Sequence, residues 1–248
     1  MRSASDTEDP PYFCTTSATA QPFTTVSRPG NPIKDKGSAH LVLPAGSVRW
    51  VSAAPRGRLA DTSVPIHPPI AQRWSPRAFD PVAQVPRDDL IALLEAARWA
   101  PTWGRRQPIR FVVGVRADPT FATVAGLLKR GNSYAKAAGA LIMLCADAGE
   151  DDKTRRYAAV DAGAAMANIT IEAVSRGLIT HPMAGFDAAA AAEAFRLPDR
   201  LDPLMVIAVG HLGDYSEVAS EIAERDHQPR YRLPLDDLVV RLPQSAGP

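Results

Sequence analysis

The 248-residue sequence predicts an α+β domain behind a long irregular leader. Three observations lead to this. After Pro68, helical and strand patterns mix without strict β-α-β alternation, which disfavours a doubly wound sheet. An uninterrupted apolar run, Leu141-Ile142-Met143-Leu144-Cys145, reads as a strand buried on both faces. The stretch Thr154 to Arg176 is apolar nearly all round and rich in Ala and Gly, as a long buried central helix should be.

The first 70 residues hold 10 of the 23 prolines and show no sustained period of 3.6 or 2. Such a segment buries too little apolar surface to fold alone. Residues 1–67 are therefore assigned to a flexible or extended leader, with an arm that packs on a partner as the other reading. Residues 68–248 form the folded domain. Its first helix follows Pro86, with Asp88 and Asp89 in the first turn and Leu90, Ile91, Leu94 and Ala97 at helical spacing. Pro101 stops it. Phe111 to Val115 reads as a strand, and Pro119 to Lys129 as a short helix with Phe121, Val124, Ala125 and Leu128 on one face. The Leu141 strand and the central helix come next, and Gly177 ends that helix. Ala188 to Phe195 is a short helix, Leu204 to Val209 a third strand, and Leu235 to Val240 a last helical turn or strand.

Composition excludes several classes of function. A formal net charge of +1 is no footprint of a nucleic-acid binder. No run of about 18 apolar residues occurs to span a membrane. The start, with Asp6, Glu8 and Asp9 and no apolar stretch behind them, argues against a secretory signal. Cys14 and Cys145 make no disulfide framework, which suits a cytoplasmic protein with reduced thiols. The phosphate-loop, dinucleotide-fingerprint, zinc-protease and serine-hydrolase motifs are missing. His40, His67, His181, His211 and His227 are scattered, so no metal is expected.

Three segments concentrate groups that carry chemistry. In Arg73-Trp74-Ser75-Pro76-Arg77-Ala78-Phe79 two arginines and a hydroxyl alternate, and so share one side of an extended chain. Guanidinium forks bind phosphate bidentately, and Ser adds a donor. The second segment, Ala100 to Phe111, is a loop between a helix and a strand, where ligand sites often sit. The third, Pro229-Arg230-Tyr231-Arg232, again alternates two arginines.

Together these residues resemble the FMN-dependent nitroreductase family. The family's Arg-x-Ser-x-Arg-x-Phe opening is met at Arg73, Ser75, Arg77 and Phe79. Its Ala-Pro-Ser/Thr…Gln-Pro loop is met at Ala100, Pro101, Thr102, Gln107 and Pro108. Its Gly-Leu…Pro-x-x-Gly-Phe segment is met at Gly177, Leu178, Pro182, Gly185 and Phe186, and its final Lys/Arg-x-Arg at Arg230 and Arg232. The resemblance spans about residues 68–242. It implies a nitroreductase-like fold: a central mixed or antiparallel sheet flanked by helices, with a long buried central helix and a C-terminal extension. It also implies a homodimer with FMN at the interface, and a ping-pong cycle. NADH or NADPH reduces the flavin, which then reduces a nitroaromatic, quinone or similar electrophile. Two other uses are a flavin-dependent dehydrogenase or oxidase, as cyclic-dipeptide oxidases of this fold are, and a non-catalytic FMN-sequestering protein.

Carried over by the resemblance, Arg73, Trp74, Ser75 and Arg77 line the FMN phosphate, ribityl chain and pyrimidine edge. Arg230 and Arg232 close on the phosphate, and Gln107 lies near the ring. Pro182 and Met183 pack on the ring, and the backbone N–H groups of Ala184 and Gly185 lie near flavin N5. Arg77 is the cation expected to stabilise the reduced ring at its N1–O2 edge. Arg105 stands where the family usually has Asn. It takes that place, binds an anionic substrate, or points to solvent. Trp103 lines the substrate face or packs in the loop. His181 contacts substrate or flavin, or is structural. Asp161, Asn168 and Glu172 on the central helix read as interhelical hydrogen-bonding groups, and Cys145 as core.

Overall fold

The computed structural model describes residues 58–241. Its elements in chain order are α1 (Pro68–Gln72), α2 (Arg87–Arg98), β1 (Ile109–Val115), α3 (Pro119–Leu127), a 3-10 helix (Arg130–Ala137), β2 (Ala140–Asp147) and α4 (Asp152–Ser175). Then follow β3 (Ile179–Met183), α5 (Ala188–Ala194), β4 (Leu201–Gly210), α6 (Ser220–His227) and α7 (Leu235–Leu238). The four strands form one sheet in the order β1-β2-β4-β3, every pair antiparallel. No helix among the described residues is long and apolar enough to cross a membrane.

The sheet lies between two helical layers, and the period-2 alternation of its strands assigns side chains to each. Ile142, Leu144, Ile207 and Val209 face α4 and α2, meeting Ala158, Ala162, Ile169, Leu90 and Leu93. Leu141, Met143, Cys145, Val206 and Ala208 face the other layer, meeting Phe121, Val124 and Ala191. Covering both faces explains why β2 is buried from Ala140 to Ala146. Cys145 sits in that core, and burial pushes its thiol up to about 11.

Helix α4 is well delimited. Asp151 accepts from the Thr154 backbone N–H at 2.9 Å and from its hydroxyl at 2.7 Å, a side-chain N-cap. At the other end Gly177 takes φ +72, a left-handed conformation that costs glycine little. The Gly177 N–H then donates to Val174 O, and Leu178 N–H to Ala173 O, closing the helix in a Schellman motif. Small side chains along one flank let α4 lie close on the sheet. The opposite flank is not covered by the described residues, and Val160 is 60% exposed.

Four elements lacked a sequence signal, the 3-10 helix at Arg130–Ala137 among them. Strand β3 carries His181 and Pro182. It lies at the sheet edge, where a missing backbone N–H is tolerated. Helices α1 and α6 are short, with few apolar residues to mark a period. Leu235–Val240, read as a helical turn or a strand, contains the one-turn α7. Most of the leader, residues 1–57, lies outside the described residues. Its last ten, 58–67, run up to α1, and Ala60 N–H donates to Ala71 O at 2.8 Å.

Candidate functional site

After α1 the chain is extended from Arg73, and Phe79, 2% exposed, pins it by bridging to Leu212. Arg73, Ser75 and Arg77 border one cavity of about 330 Å³, and the Gln228–Arg232 segment closes its far side. Six arginines line it: Arg58, Arg73, Arg77, Arg225, Arg230 and Arg232. Asp226 is its single carboxylate.

Asp226 is spoken for. Its buried side chain accepts from Arg77 Nη1 at 3.0 Å, from the Arg77 and Ala78 backbone N–H groups at 2.6 and 3.3 Å, and from Tyr215 Oη at 3.1 Å. The Arg77 guanidinium also lies over the Tyr134 ring. The other five guanidiniums have no carboxylate partner among the described residues. Arg73 donates to Ser75 Oγ at 3.3 Å. Arg230 donates to the carbonyls of Arg58, Ala71 and Arg73. Arg232 is exposed and donates to Tyr231 O. Burial, then like-charged neighbours, pull Arg73 and Arg230 below the ordinary guanidinium value. Crowded, largely unneutralised arginines suit a multiply charged anion.

Arg73 and Ser75 also end a second depression of about 430 Å³, lined by Ile70, Met166, Ala167, Thr170, Ile171 and Pro182. Cavity and groove thus meet at these two residues. Pro182 and Met183 alternate across β3. Pro182 lines the groove, while Met183 is 4% exposed in the opposite core layer. The expected packing of the Met183 side chain on a ring in this groove is therefore not what the fold provides.

The turn after β3 is tightly held. Gly185 O accepts from Asn132 Nδ2 at 2.9 Å and from the Lys129 N–H at 3.0 Å. A Cβ on Gly185 would come within 2.5 Å of Asn132 Nδ2, so that amide would have to shift to admit one. The backbone N–H groups of Ala184 and Gly185 have no partner among the described residues.

The Ala100–Phe111 loop lies elsewhere. Trp103 N–H donates to both Asp161 oxygens, at 2.9 and 3.1 Å. Its ring stacks on Tyr157 at 4.8 Å. Arg105 and Gln107 are exposed, and Gln107 takes φ +51. The groove uses Met166 to Ile171 of α4, whereas this loop uses Tyr157 and Asp161. Five residues separate Asp161 from Met166 and ten from Ile171, roughly 8–15 Å of helix. Within one chain the fold does not bring Trp103, Arg105 and Gln107 to the arginine cavity. Of the polar groups on α4, Asn168 Nδ2 donates to Ala96 O on α2, and Glu172 accepts from Arg176, which also reaches Asp89 on α2. Asp161 departs from the interhelical expectation because it holds the loop instead, and Glu172 bonds Arg176 at the end of its own helix.

His181 points to the layer opposite Pro182. Its Nδ1 lies 3.0 Å from Pro76 O, and its ring 5.1 Å from Tyr134. A carbonyl only accepts, so Nδ1 carries the proton. Burial chiefly holds this imidazole below its ordinary value of 6.5. The unfolded chain therefore binds a proton near pH 6.5 that the folded protein refuses. The His181 contribution is intact above that pH and is lost as pH falls through it toward the depressed folded value. Thermal melts of wild type should lose stability in that window. His181→Gln, whose amide can still donate to Pro76 O, should show a shallower slope. Identical slopes would remove His181 as the cause.

Asp226, Tyr215, Tyr134, Asn132 and Arg58 went unforeseen from the sequence. Only Arg58 had a local signal, as a second arginine beside Arg56 in Pro55-Arg56-Gly57-Arg58.

Fold and site together define an α+β protein whose arginine cavity opens into an apolar groove. Residues 70–118 and 119–211 match the nitroreductase family profile, and the chain belongs to the nitroreductase family. A 15.4 kDa protein from the ask 5′ region of Mycolicibacterium smegmatis is 62% identical over 139 residues, covering 53% of this chain and 94% of its own. Among solved structures, an oxidoreductase containing FMN is 31% identical with a TM-score of 0.66, covering 72% of this chain and 92% of its own. A nitroreductase family protein from Clostridium novyi is 25% identical with a TM-score of 0.53, covering 63% of this chain and 89% of its own. The residues present fit an FMN: surplus guanidiniums for a phosphate, Ser75 for a hydroxylated chain, and an apolar groove for a ring.

Proposed function

We propose that the protein is an FMN-dependent oxidoreductase that uses NADH or NADPH to reduce nitroaromatic, quinone or similar electrophilic small molecules in the cytoplasm. The observation that carries this reading is the shared edge at Arg73 and Ser75. An anion site with five guanidiniums unpaired by carboxylates among the described residues opens there into an apolar groove, matching a molecule that is phosphate at one end and ring at the other. Bound FMN supplies the redox chemistry, accepting electrons from the nicotinamide and passing them to the electrophile.

The chain's residues then bind and orient. Arg73, Arg230 and Arg232 neutralise the phosphate, with Trp74 and Ser75 beside it. Arg77, aimed by Asp226, presents positive charge to the pyrimidine edge. Pro182 lies against the ring, and the N–H groups of Ala184 and Gly185 serve as donors at N5.

The site is completed by a second copy of the chain. The uncovered flank of α4 carries Ala159, Val160, Gly163 and Ala167 at helical spacing, and a Cβ on Gly163 would meet nothing within 4 Å. Two chains packed antiparallel along this flank would set the Trp103–Gln107 loop of one beside the groove of the other. That arrangement resolves the separation of loop and groove along one helix.

The test is an absorbance spectrum of purified protein, recorded before and after anaerobic addition of NADH and then NADPH, with the mass measured by sedimentation. Flavin bands that bleach, on a species of twice the chain mass, are the expected result. Bands that persist with both donors would overturn the reductase and favour the dehydrogenating or sequestering use. Failure to take up FMN after reconstitution would overturn the cofactor.

A further inference from the structure

We propose that Arg58, which precedes the family match, is a positioning residue of the cofactor phosphate site and holds the C-terminal Gln228–Arg232 segment over it. The proposal rests on the reading that this cavity takes the FMN phosphate.

Residues 58 and 228–230 exchange bonds in both directions. Arg58 Nη1 donates to Gln228 O at 2.6 Å, and Arg230 Nη1 donates to Arg58 O at 2.6 Å. The Arg58 guanidinium also lies 4.9 Å from the centroid of the Trp74 ring, between the two arginines of the first motif. One side chain therefore touches the Arg73–Arg77 segment and the Gln228–Arg232 segment, the two walls of the cavity. Ala60 N–H to Ala71 O extends the tie to α1. Both partners of the exchange lie outside residues 70–211, so the region that defines the family does not by itself build this wall.

The cluster is costly without an anion. Arg58, Arg73, Arg230 and Arg232 crowd together, and Arg230 feels the other three as like charges. No carboxylate among the described residues offsets Arg58. A carbonyl and an aromatic face orient its charge without cancelling it. Arg58 thus brings Arg230 and Arg232 into range of a phosphate and adds its own positive field.

The experiment compares FMN with riboflavin, which lacks the phosphate. Dissociation constants for both are measured by flavin fluorescence on full-length wild type, Arg58→Met and Arg58→Lys. Methionine keeps an unbranched stem against Trp74 and removes charge and donors, and lysine restores charge and a donor. Arg58→Met should weaken FMN about tenfold and leave riboflavin within about twofold, so that phosphate selectivity drops. Arg58→Lys should recover part of it. An unchanged FMN-to-riboflavin ratio overturns the proposal, and so does equal weakening of both ligands, which would mark Arg58 as scaffold only. Wild type that fails to bind FMN, or binds it no better than riboflavin, overturns the cofactor reading itself.

Discussion

Asp226→Ala should lower stability by about 2–4 kcal/mol and release FMN. The carboxylate is wholly buried yet meets four donors, two from backbone and two from side chains. Removing one member of a buried pair costs ~3–5 kcal/mol, because the remaining charge and donors are stranded. The Arg77 side chain is 29% exposed, so water relieves part of that cost, and the lower end of the range applies. For a domain of this size the melting temperature should drop by roughly 5–12 °C. Burial, and then the Asp226 charge, hold the Tyr215 hydroxyl protonated, so it keeps donating across the ordinary pH range. Asp226→Asn should fall between, since its oxygen still accepts from backbone but its charge is gone. The double mutant with Arg77→Ala separates the parts. A coupling of about 1–3 kcal/mol is expected. Strict additivity would mean that Asp226 serves the backbone of the Arg73–Phe79 segment and does nothing for the Arg77 guanidinium.

What the sequence disclosed follows from how each feature is encoded. Helix α4, strand β2 and strand β4 are long and rich in apolar or small residues, so their runs are visible without any partner. Strand β3 is an edge of five residues with a proline in it, and its role depends on pairing with β4. The arginines of Arg73–Arg77 and Arg230–Arg232 were legible because alternation in an extended segment is a local property. Asp226 was not, since its meaning comes from a contact 149 residues away. The same holds for Met183, whose neighbour Pro182 takes the groove side of the strand. The leader looked separable on composition. Its last residues instead enter the cavity through Arg58, a contact that no composition could reveal.

Arg230 and Arg232 read as an equivalent pair in sequence, and the fold divides them. Arg230 is half-buried and donates to three carbonyls, at 2.6, 3.3 and 3.1 Å, belonging to Arg58, Ala71 and Arg73. Those carbonyls come from the leader and from the segment that leads into the first motif, so Arg230 fastens the cavity wall as well as charging it. Arg230→Ala should lose about 1.5–3 kcal/mol of stability, the range for a charged hydrogen-bonding group left unreplaced. FMN affinity should fall on the order of 10- to 100-fold, from lost charge together with a displaced wall. Arg232 is exposed and, among the described residues, bonds only its neighbour's carbonyl. Arg232→Ala should leave the melting temperature where it is and weaken FMN about tenfold at low salt. That loss should shrink as salt rises past about 0.1 M, where the screening length is ~10 Å, as expected of an exposed guanidinium that would act on a phosphate through solvent. Melting curves and FMN titrations at two salt concentrations check both variants. Equal losses of stability would show that the three carbonyls around Arg230 contribute nothing to holding the wall.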